Sequence, residues 1–262
     1  MIAAVGLGLV IGVLLGLLGG GGSILAVPAL VYGAGVPLVA AIPTSLLVVG
    51  ISSATALLPR LRKGQVQWRL AGVFGTAGAV SAFAGAAVNR LLDSRLVLVG
   101  FAVLMVVAGV RMLHEQATAG GDCALPDGGI NWRRCLPKAI GSGVVVGFLT
   151  GLFGVGGGFL IIPALVLLLG LPMTAAVGTS LVIIVVNSIA GFAGFAAHAG
   201  DATLDYGIAG AFTLAAVAGS LAASRIATRL PAKGLRRAFA YLVFAVAAFV
   251  IIQAVLNPRA TG

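Results

Sequence analysis

Long hydrophobic runs separated by short polar breaks extend along the whole chain. There are eight runs, and they span residues 2–33, 38–58, 70–89, 96–113, 139–169, 173–197, 206–224 and 238–256. Because a helix needs about 20 apolar residues to cross a bilayer, runs of this length predict membrane-spanning helices. Pro37, Pro59, Pro172 and Pro231 lie at or beside breaks, where proline ends or begins a helix at little cost. The pattern predicts an all-α polytopic membrane protein.

The chain contains an internal repeat. Shifted by 135 residues, residues 8–56 align with 143–191 without a gap, and 22 of the 49 positions are identical. The cores read GLLGGGGSILAVPAL and GLFGVGGGFLIIPAL, and AAIPTSL in the first copy matches AAVGTSL in the second. We therefore expect a first membrane repeat, a polar cytoplasmic linker and a second membrane repeat, with boundaries at 1–113, 114–138 and 139–262.

Composition excludes several other classes of protein. Hydrophobic residues make up 60% of the chain and charged residues only 8%, whereas a soluble domain carries about 25% charge. The net charge is +10, but the 16 basic residues lie at the ends of the apolar runs, which is typical of loops beside membrane helices and not of a nucleic-acid interface. The apolar N-terminus lacks a basic segment and a cleavage site, and we interpret it as a retained membrane segment.

The basic residues also predict how the two copies are oriented. If every run crosses the membrane once, the copies are parallel and the basic residues divide nine to seven between the two sides. If each glycine-broken run enters and returns, the copies are inverted, and only Arg90, Arg95 and Arg259 face the side opposite the other thirteen. The second division obeys the positive-inside rule. We therefore predict inverted repeats, each with a hairpin of short helices, of about 14 and 12 residues, and three transmembrane helices.

Glycine clusters interrupt the first and fifth runs near their centres. Consecutive glycines break a helix, and broken backbone at membrane depth is tolerated where it lines a cavity. The free N–H groups of a following short helix attract an anion, and inverted copies would bring two such helix starts together near the midplane. Helix packing by small residues and coordination of Na⁺ by carbonyls remain alternatives. The candidate residues are Gly20, Gly21, Gly22 and Ser23 in the first copy and Gly156, Gly157 and Gly158 in the second.

Paired hydroxyls recur in both copies. Thr44 and Ser45 align with Thr179 and Ser180, and their hydroxyls could donate to an oxyanion or only cap and back-bond the helix. Recurrence at identical spacing favours binding. More polar residues lie about two turns further along the same helices: Ser52, Ser53, Asn187 and Ser188. Because the amide of Asn187 is the most costly of these to bury, we expect it to have a partner and include it in the site.

Few other side chains suggest chemistry. His198, Asp201 and Asp205 form an ionisable group at the outer end of one run, where a solvated loop is favoured over a proton relay. Cys123 and Cys135 lie in the predicted cytoplasmic linker, where we expect reduced thiols. We expect no catalytic residue, metal ligand or cofactor.

The duplicated G-x-G-G-G…P-A-L followed by P/G-T-S-L resembles the TauE/SafE sulfite-exporter family of membrane permeases over nearly the whole chain. The resemblance implies transport of sulfite, sulfonates or related organic anions, driven by the proton gradient. Two positions differ between the copies, because Ser23 aligns with Gly158 and Pro43 aligns with Gly178. The two half-sites are therefore expected to be unequal.

The predicted function is that of a secondary transporter for small anions in the bacterial inner membrane. A passive anion channel and an uptake carrier for metal cations remain alternatives, whereas an intramembrane enzyme would lack a nucleophile at depth. We expect a small anionic solute and the lipid bilayer as partners, without nucleic acid, and a homodimer is compatible with this function.

Overall fold

The computed structural model of the chain consists of helices joined by short connections. It describes residues 2–30, 35–36, 38–89, 91–92, 94–114, 132–153, 158–198, 206–227 and 231–256. These residues contain no strand, and the prediction of an all-α protein is confirmed for them. Five of the described helices hold a segment long and apolar enough to cross a membrane: Pro43–Arg62, Trp68–Asn89, Cys135–Phe153, Met173–Phe192 and Ala209–Ala227. The prediction of a polytopic membrane protein is thereby supported.

The helices follow the order of the predicted runs. The first copy forms α1 (Ile2–Leu18), α2 (Ser23–Pro28), α3 (Leu38–Arg62), α4 (Trp68–Asn89) and α5 (Ser94–His114). The second copy forms α6 (Trp132–Phe153), α7 (Gly158–Pro163), α8 (Met173–His198), α9 (Tyr206–Ala227) and α10 (Ala232–Leu256). A 3₁₀ turn, Gly19–Gly22, joins α1 to α2, and a π turn, Ala164–Leu168, follows α7.

The glycine-broken runs have unequal arms. Helix α1 has 17 residues and α6 has 22, whereas α2 and α7 have six each. At 1.5 Å per residue, α6 rises about 33 Å, which is sufficient to cross the hydrocarbon core alone. Because α7 continues into the π turn, the second arm of the second copy spans Gly158–Leu168, close to the predicted length of about 12 residues, whereas α6 is longer than the predicted length of about 14. In each copy the described helix before the glycine break is longer than the described helix after it.

The chain leaves the broken run in the same way in both copies. The Val36 N–H donates to the Leu30 carbonyl over 3.0 Å, and the aligned Leu171 N–H donates to Leu165 over the same distance. Gly35 lies within the first of these turns and Gly170 within the second, and their φ angles are 68° and 67°, which glycine adopts without steric cost. The sequence repeat is thus also a repeat of local backbone structure.

The chain forms two compact units, and each unit contains parts of both sequence copies. One unit comprises Met1–Trp68 and Val177–Leu230, and the other comprises Arg69–Ala176 and Pro231–Gly262. The first unit therefore contains α1, α2, α3, most of α8, and α9. The second contains nearly all of α4, together with α5, α6, α7 and α10. The boundaries of the packing units differ from those of the sequence repeats.

In the first unit, α1 packs closely along α9. Every fourth residue of α1 in this region is a glycine, and a Cβ atom added there would overlap backbone atoms of α9. Glycine therefore allows the two helices to approach closely. Both residue numbers increase together along the interface, so the helices are parallel. The contacts pair Gly8, Gly12 and Gly16, in that order, with Phe212, Ala216 and Ser220.

The second unit repeats this interface with exchanged partners. Its first-run helix, α6, packs in parallel on α4, the third-run helix of the other copy. The glycines of α6 are those that align with the packing glycines of α1. The contacts pair Gly143, Gly147 and Gly151 with Phe74, Gly78 and Ala82. Each unit mixes the two copies because a first-run helix of one copy packs on the third-run helix of the other.

Corresponding helices of the two copies run antiparallel where they meet within a unit. In the first unit, Gly50 of α3 faces Ser188 of α8, whereas the earlier Leu46 faces the later Gly191. Helices α5 and α10 of the second unit also run antiparallel, with Gly109 facing the Phe244 ring and the Met112 carbonyl accepting a hydrogen bond from Arg236. Parallel copies would require corresponding helices to point the same way. Both contacting pairs are antiparallel, and the inverted orientation of the two copies in the membrane stays a prediction.

Candidate functional site

The first glycine break lies near the basic end of α3. Arg60, in the last turn of α3, is only 2% exposed. Its guanidinium donates from Nη2 to the Gly16 carbonyl over 2.7 Å and from Nη1 to the Ala56 carbonyl over 3.0 Å. Because Gly16 belongs to the last turn of α1, its carbonyl is among those that a helix end leaves available. The first break therefore lies beside the C-terminal end of α3, and its depth in the membrane stays a prediction.

Sequence reasoning missed Arg60, because it was counted with the loop cations of the basic side. The neighbouring Arg62 and Lys63 do conform to that interpretation, since both side chains are exposed. A signal was available in the sequence. Arg60 follows the apolar run and Pro59 directly, without an intervening polar residue, whereas Arg62 and Lys63 come directly before Gly64 as a polar pair.

Hydroxyl groups of α3 lie five to eight residues before Arg60 on the same helix. The Thr55 and Ser220 hydroxyls are 3.0 Å apart and join α3 to α9. Ser52 and Ser53, one turn before Arg60's carbonyl partner Ala56, are completely buried, and among the described residues neither hydroxyl has a hydrogen-bond partner.

The glycines of the first break form a tight turn. The left-handed backbone occurs at Gly19, with a φ of 68°, whereas Gly22 has a φ of −72°. A left-handed conformation is therefore not the reason for glycine at position 22. A Cβ on Gly22 would instead lie 2.7 Å from the Cγ of Leu15, so this glycine permits close packing on α1. Gly20 and Gly21 belong to the same 3₁₀ turn, and the Ser23 hydroxyl donates to the Gly20 carbonyl over 2.6 Å.

The second break is described only in part. Gly156 and Gly157 lie outside the described residues, and Gly158 is buried at the start of α7 in the second unit. An amide replaces the guanidinium here, because Asn89 donates to the Leu152 carbonyl over 2.5 Å. The nearby Thr150 hydroxyl has no partner among the described residues. The two breaks are therefore flanked by different chemical groups.

The structure does not bring Thr44 and Thr179 to one ligand. Thr44 lies near the start of α3 and back-bonds to the Ala40 carbonyl over 2.7 Å. Thr179 instead accepts a hydrogen bond of 3.1 Å from the Gln67 N–H, beyond the end of α3. From Thr44 to the last residue of α3 the helix rises about 27 Å, which is much longer than a small anion. The expectation that both threonines share one midplane site is not met.

The remaining predicted polar residues also differ in their surroundings. Ser45 and Ser180 are buried, and the Ser180 hydroxyl back-bonds to Val177 over 2.9 Å. Asn187 is exposed on α8, so the expectation of a buried partner is wrong; its neighbour Ser188 is the residue that α8 buries. Adjacent helical residues point about 100° apart, so Ser188 can be buried while Asn187 is exposed.

One cysteine departs from the expectation of reduced thiols. Cys135, in the first turn of α6, is completely buried and disulfide-bonded. The chain has only one other cysteine, Cys123, which lies outside the described residues. The side chains of His198, Asp201 and Asp205 also lie outside them.

Comparison with known proteins adds the family context. A family model described as "Sulfite exporter TauE/SafE" matches residues 4–250. The chain is 36% identical over 255 residues to a "Probable membrane transporter protein" of Xylella fastidiosa strain Temecula1, covering 96% of this chain and 95% of that protein. It is 30% identical over 202 residues to the "Probable membrane transporter protein YunE" of Bacillus subtilis, covering 71% and 74%. No solved structure matches the chain.

Proposed function

Because the chain belongs to the TauE/SafE sulfite exporter family of membrane transporters, we propose that it is a secondary transporter for a small anion. The proposed substrates are sulfite, an organosulfonate or a related organic anion. We place the transporter in the bacterial inner membrane and couple its transport to the proton gradient. The family and its named relatives support membrane transport, and the buried side chains support the choice of an anion.

The observation that carries the proposal is the kind of polar group that the first unit buries. Apart from Ser142, every buried polar side chain among the described residues belongs to this unit, and all are hydroxyls except the guanidinium of Arg60. Guanidinium groups only donate hydrogen bonds, and hydroxyls can donate. A site for a hard cation would instead use carboxylate oxygens, and no carboxylate occurs within the described ranges. Four of these hydroxyls donate to carbonyls of their own helix, but the guanidinium of Arg60 and the hydroxyls of Ser52 and Ser53 can donate to a ligand, and these donors favour an anion over a metal cation.

Flux into proteoliposomes tests the proposal. Ethanesulfonate is the sharpest probe because its charge does not change near neutral pH, and sulfite, acetate and a divalent metal cation complete the panel. We expect saturable ethanesulfonate or sulfite flux that an imposed pH gradient accelerates and that liposomes without protein lack. Saturable flux of the metal cation alone would contradict the choice of an anion. Anion flux that rises linearly with concentration and ignores the pH gradient would indicate a channel.

A further inference from the structure

We infer that Arg60, Ser52 and Ser53 form an anion-binding site inside the first unit. The inference rests on the proposed function and adds to it the residues that would bind the anion. None of the three belongs to the duplicated glycine or Thr-Ser motifs, so the motifs alone did not identify this site.

The positive charge of the site is enclosed by the protein. A guanidinium carries five N–H groups, and the described structure uses one to bind Gly16 and one to bind Ala56. The Gly16 carbonyl lies at the C-terminal end of α1, where the helix dipole stabilises a cation without neutralising it. A buried charge is costly unless a counter-charge accompanies it. An anionic ligand would supply that counter-charge.

The hydroxyls of Ser52 and Ser53 provide the second observation. A serine or threonine inside a helix normally donates to a carbonyl three or four residues earlier. Helix hydroxyls that do so include those of Thr44, Thr55, Thr76, Ser81, Ser142, Ser180, Thr213, Ser220 and Ser224. Ser52 and Ser53 do not, although both are completely buried. Because buried polar groups almost always have partners, two adjacent exceptions point to a ligand.

The positions on α3 place Ser53 on the face of Arg60, whereas Ser52, eight residues before Arg60, lies about 80° around the helix. Ser53 and Arg60 are seven residues apart, which is nearly two full turns and places them on the same face. The guanidinium extends back towards the N-terminus, as its bond to Ala56 shows, and this reduces its separation from Ser53 to about one turn along the axis. A sulfite or sulfonate group has three oxygens. It could therefore accept hydrogen bonds from the guanidinium and a hydroxyl together.

The second copy lacks this set of residues. Position 52 aligns with Asn187, whose side chain is exposed, and helix α8 contains no arginine or lysine. The inferred site therefore belongs to the first copy alone. This agrees with the different groups beside the two breaks, a guanidinium at one and the Asn89 amide at the other.

Equilibrium binding of radiolabelled ethanesulfonate to the purified protein tests the inference. A hydrogen bond to a charged group corresponds to about a tenfold to hundredfold change in affinity. We expect Ser52→Ala and Ser53→Ala each to weaken binding about tenfold, with a melting temperature equal to or above that of the wild type, because an unpartnered buried hydroxyl is removed. Arg60→Lys keeps the charge and loses the planar fork, and should weaken binding more than tenfold.

Matched controls separate binding from structure. Ser142→Ala removes a buried hydroxyl that back-bonds to Lys138, and Arg62→Gln removes an exposed cation two residues from Arg60. Neither should change the affinity by more than about twofold. If the wild type binds no member of the anion panel, the proposed function fails. If the wild type and the Ser52, Ser53 and Arg60 variants all bind ethanesulfonate equally well, this inference alone is overturned. It is also overturned if the control substitutions weaken binding as much as the substitutions at the site.

Discussion

Gly12 provides the most direct test of how the first unit is packed. It lies in the middle of the three glycines by which α1 contacts α9, and a Cβ atom there would overlap the carbonyl oxygen of Ala216. The obstacle is backbone, so no side-chain rotation can relieve it. Gly12→Ala therefore has to push the two helices apart, and the separation also weakens the contacts at Gly8 and Gly16.

The expected magnitude follows from two opposing effects. Overpacking a close interface costs about 1–3 kcal/mol, and an immovable backbone obstacle places Gly12→Ala near the upper end. Alanine recovers about 1 kcal/mol through its higher helix propensity. The net destabilisation is then about 2 kcal/mol, which corresponds to a melting temperature about 4–8 °C lower by the scale for soluble domains of similar size.

Gly72 supplies the matched control for this substitution. It lies inside helix α4, yet a Cβ atom added there would meet no atom within 4 Å. Gly72→Ala should keep the helix-propensity gain and raise the free energy of unfolding by about 1 kcal/mol. Thermal unfolding of the purified variants in detergent, followed by circular dichroism, measures both. Equal melting temperatures for the Gly12 variant and the wild type, or an equal decrease for both variants, would refute the close approach of α1 and α9.

Two further predictions concern topology and the predicted threonine pair. In a variant without native cysteines, cysteines introduced at Gly64 and Gly234 should both react with a membrane-impermeant thiol reagent from the cytoplasmic side. If only one of them is labelled from outside, the two copies are parallel and the prediction of inverted copies is wrong. Thr179→Ala should destabilise the fold by about 1–2 kcal/mol because the Gln67 N–H loses its acceptor, whereas Thr44→Ala, which removes only a back-bond, should cost less than about 0.5 kcal/mol. Chemical unfolding measures this difference, and a larger cost at Thr44 would contradict it.

The sequence by itself determined the membrane class, the number and order of the helical runs, and the duplication. These properties depend on local composition and on comparison of the chain with itself. A long apolar run has to form a helix in a bilayer, because no water is present to satisfy its backbone groups. Three predicted runs therefore start at the first residues of α3, α8 and α9, which are Leu38, Met173 and Tyr206.

Helix partners and the burial of individual side chains were decided only by the tertiary structure. The fourfold spacing of Gly8, Gly12 and Gly16 shows that α1 has a closely packed face, but the same face could accept any helix. Arg60 is similar in kind: a terminal arginine is exposed or buried according to which carbonyl lies beside it, and that carbonyl belongs to Gly16, 44 residues earlier in the chain. A contact between distant segments produces no periodic pattern in the sequence of either segment. The tertiary structure was therefore needed to show the long helix before each glycine break, the packing of each first-run helix on the third-run helix of the other copy, and the burial of the Arg60 charge.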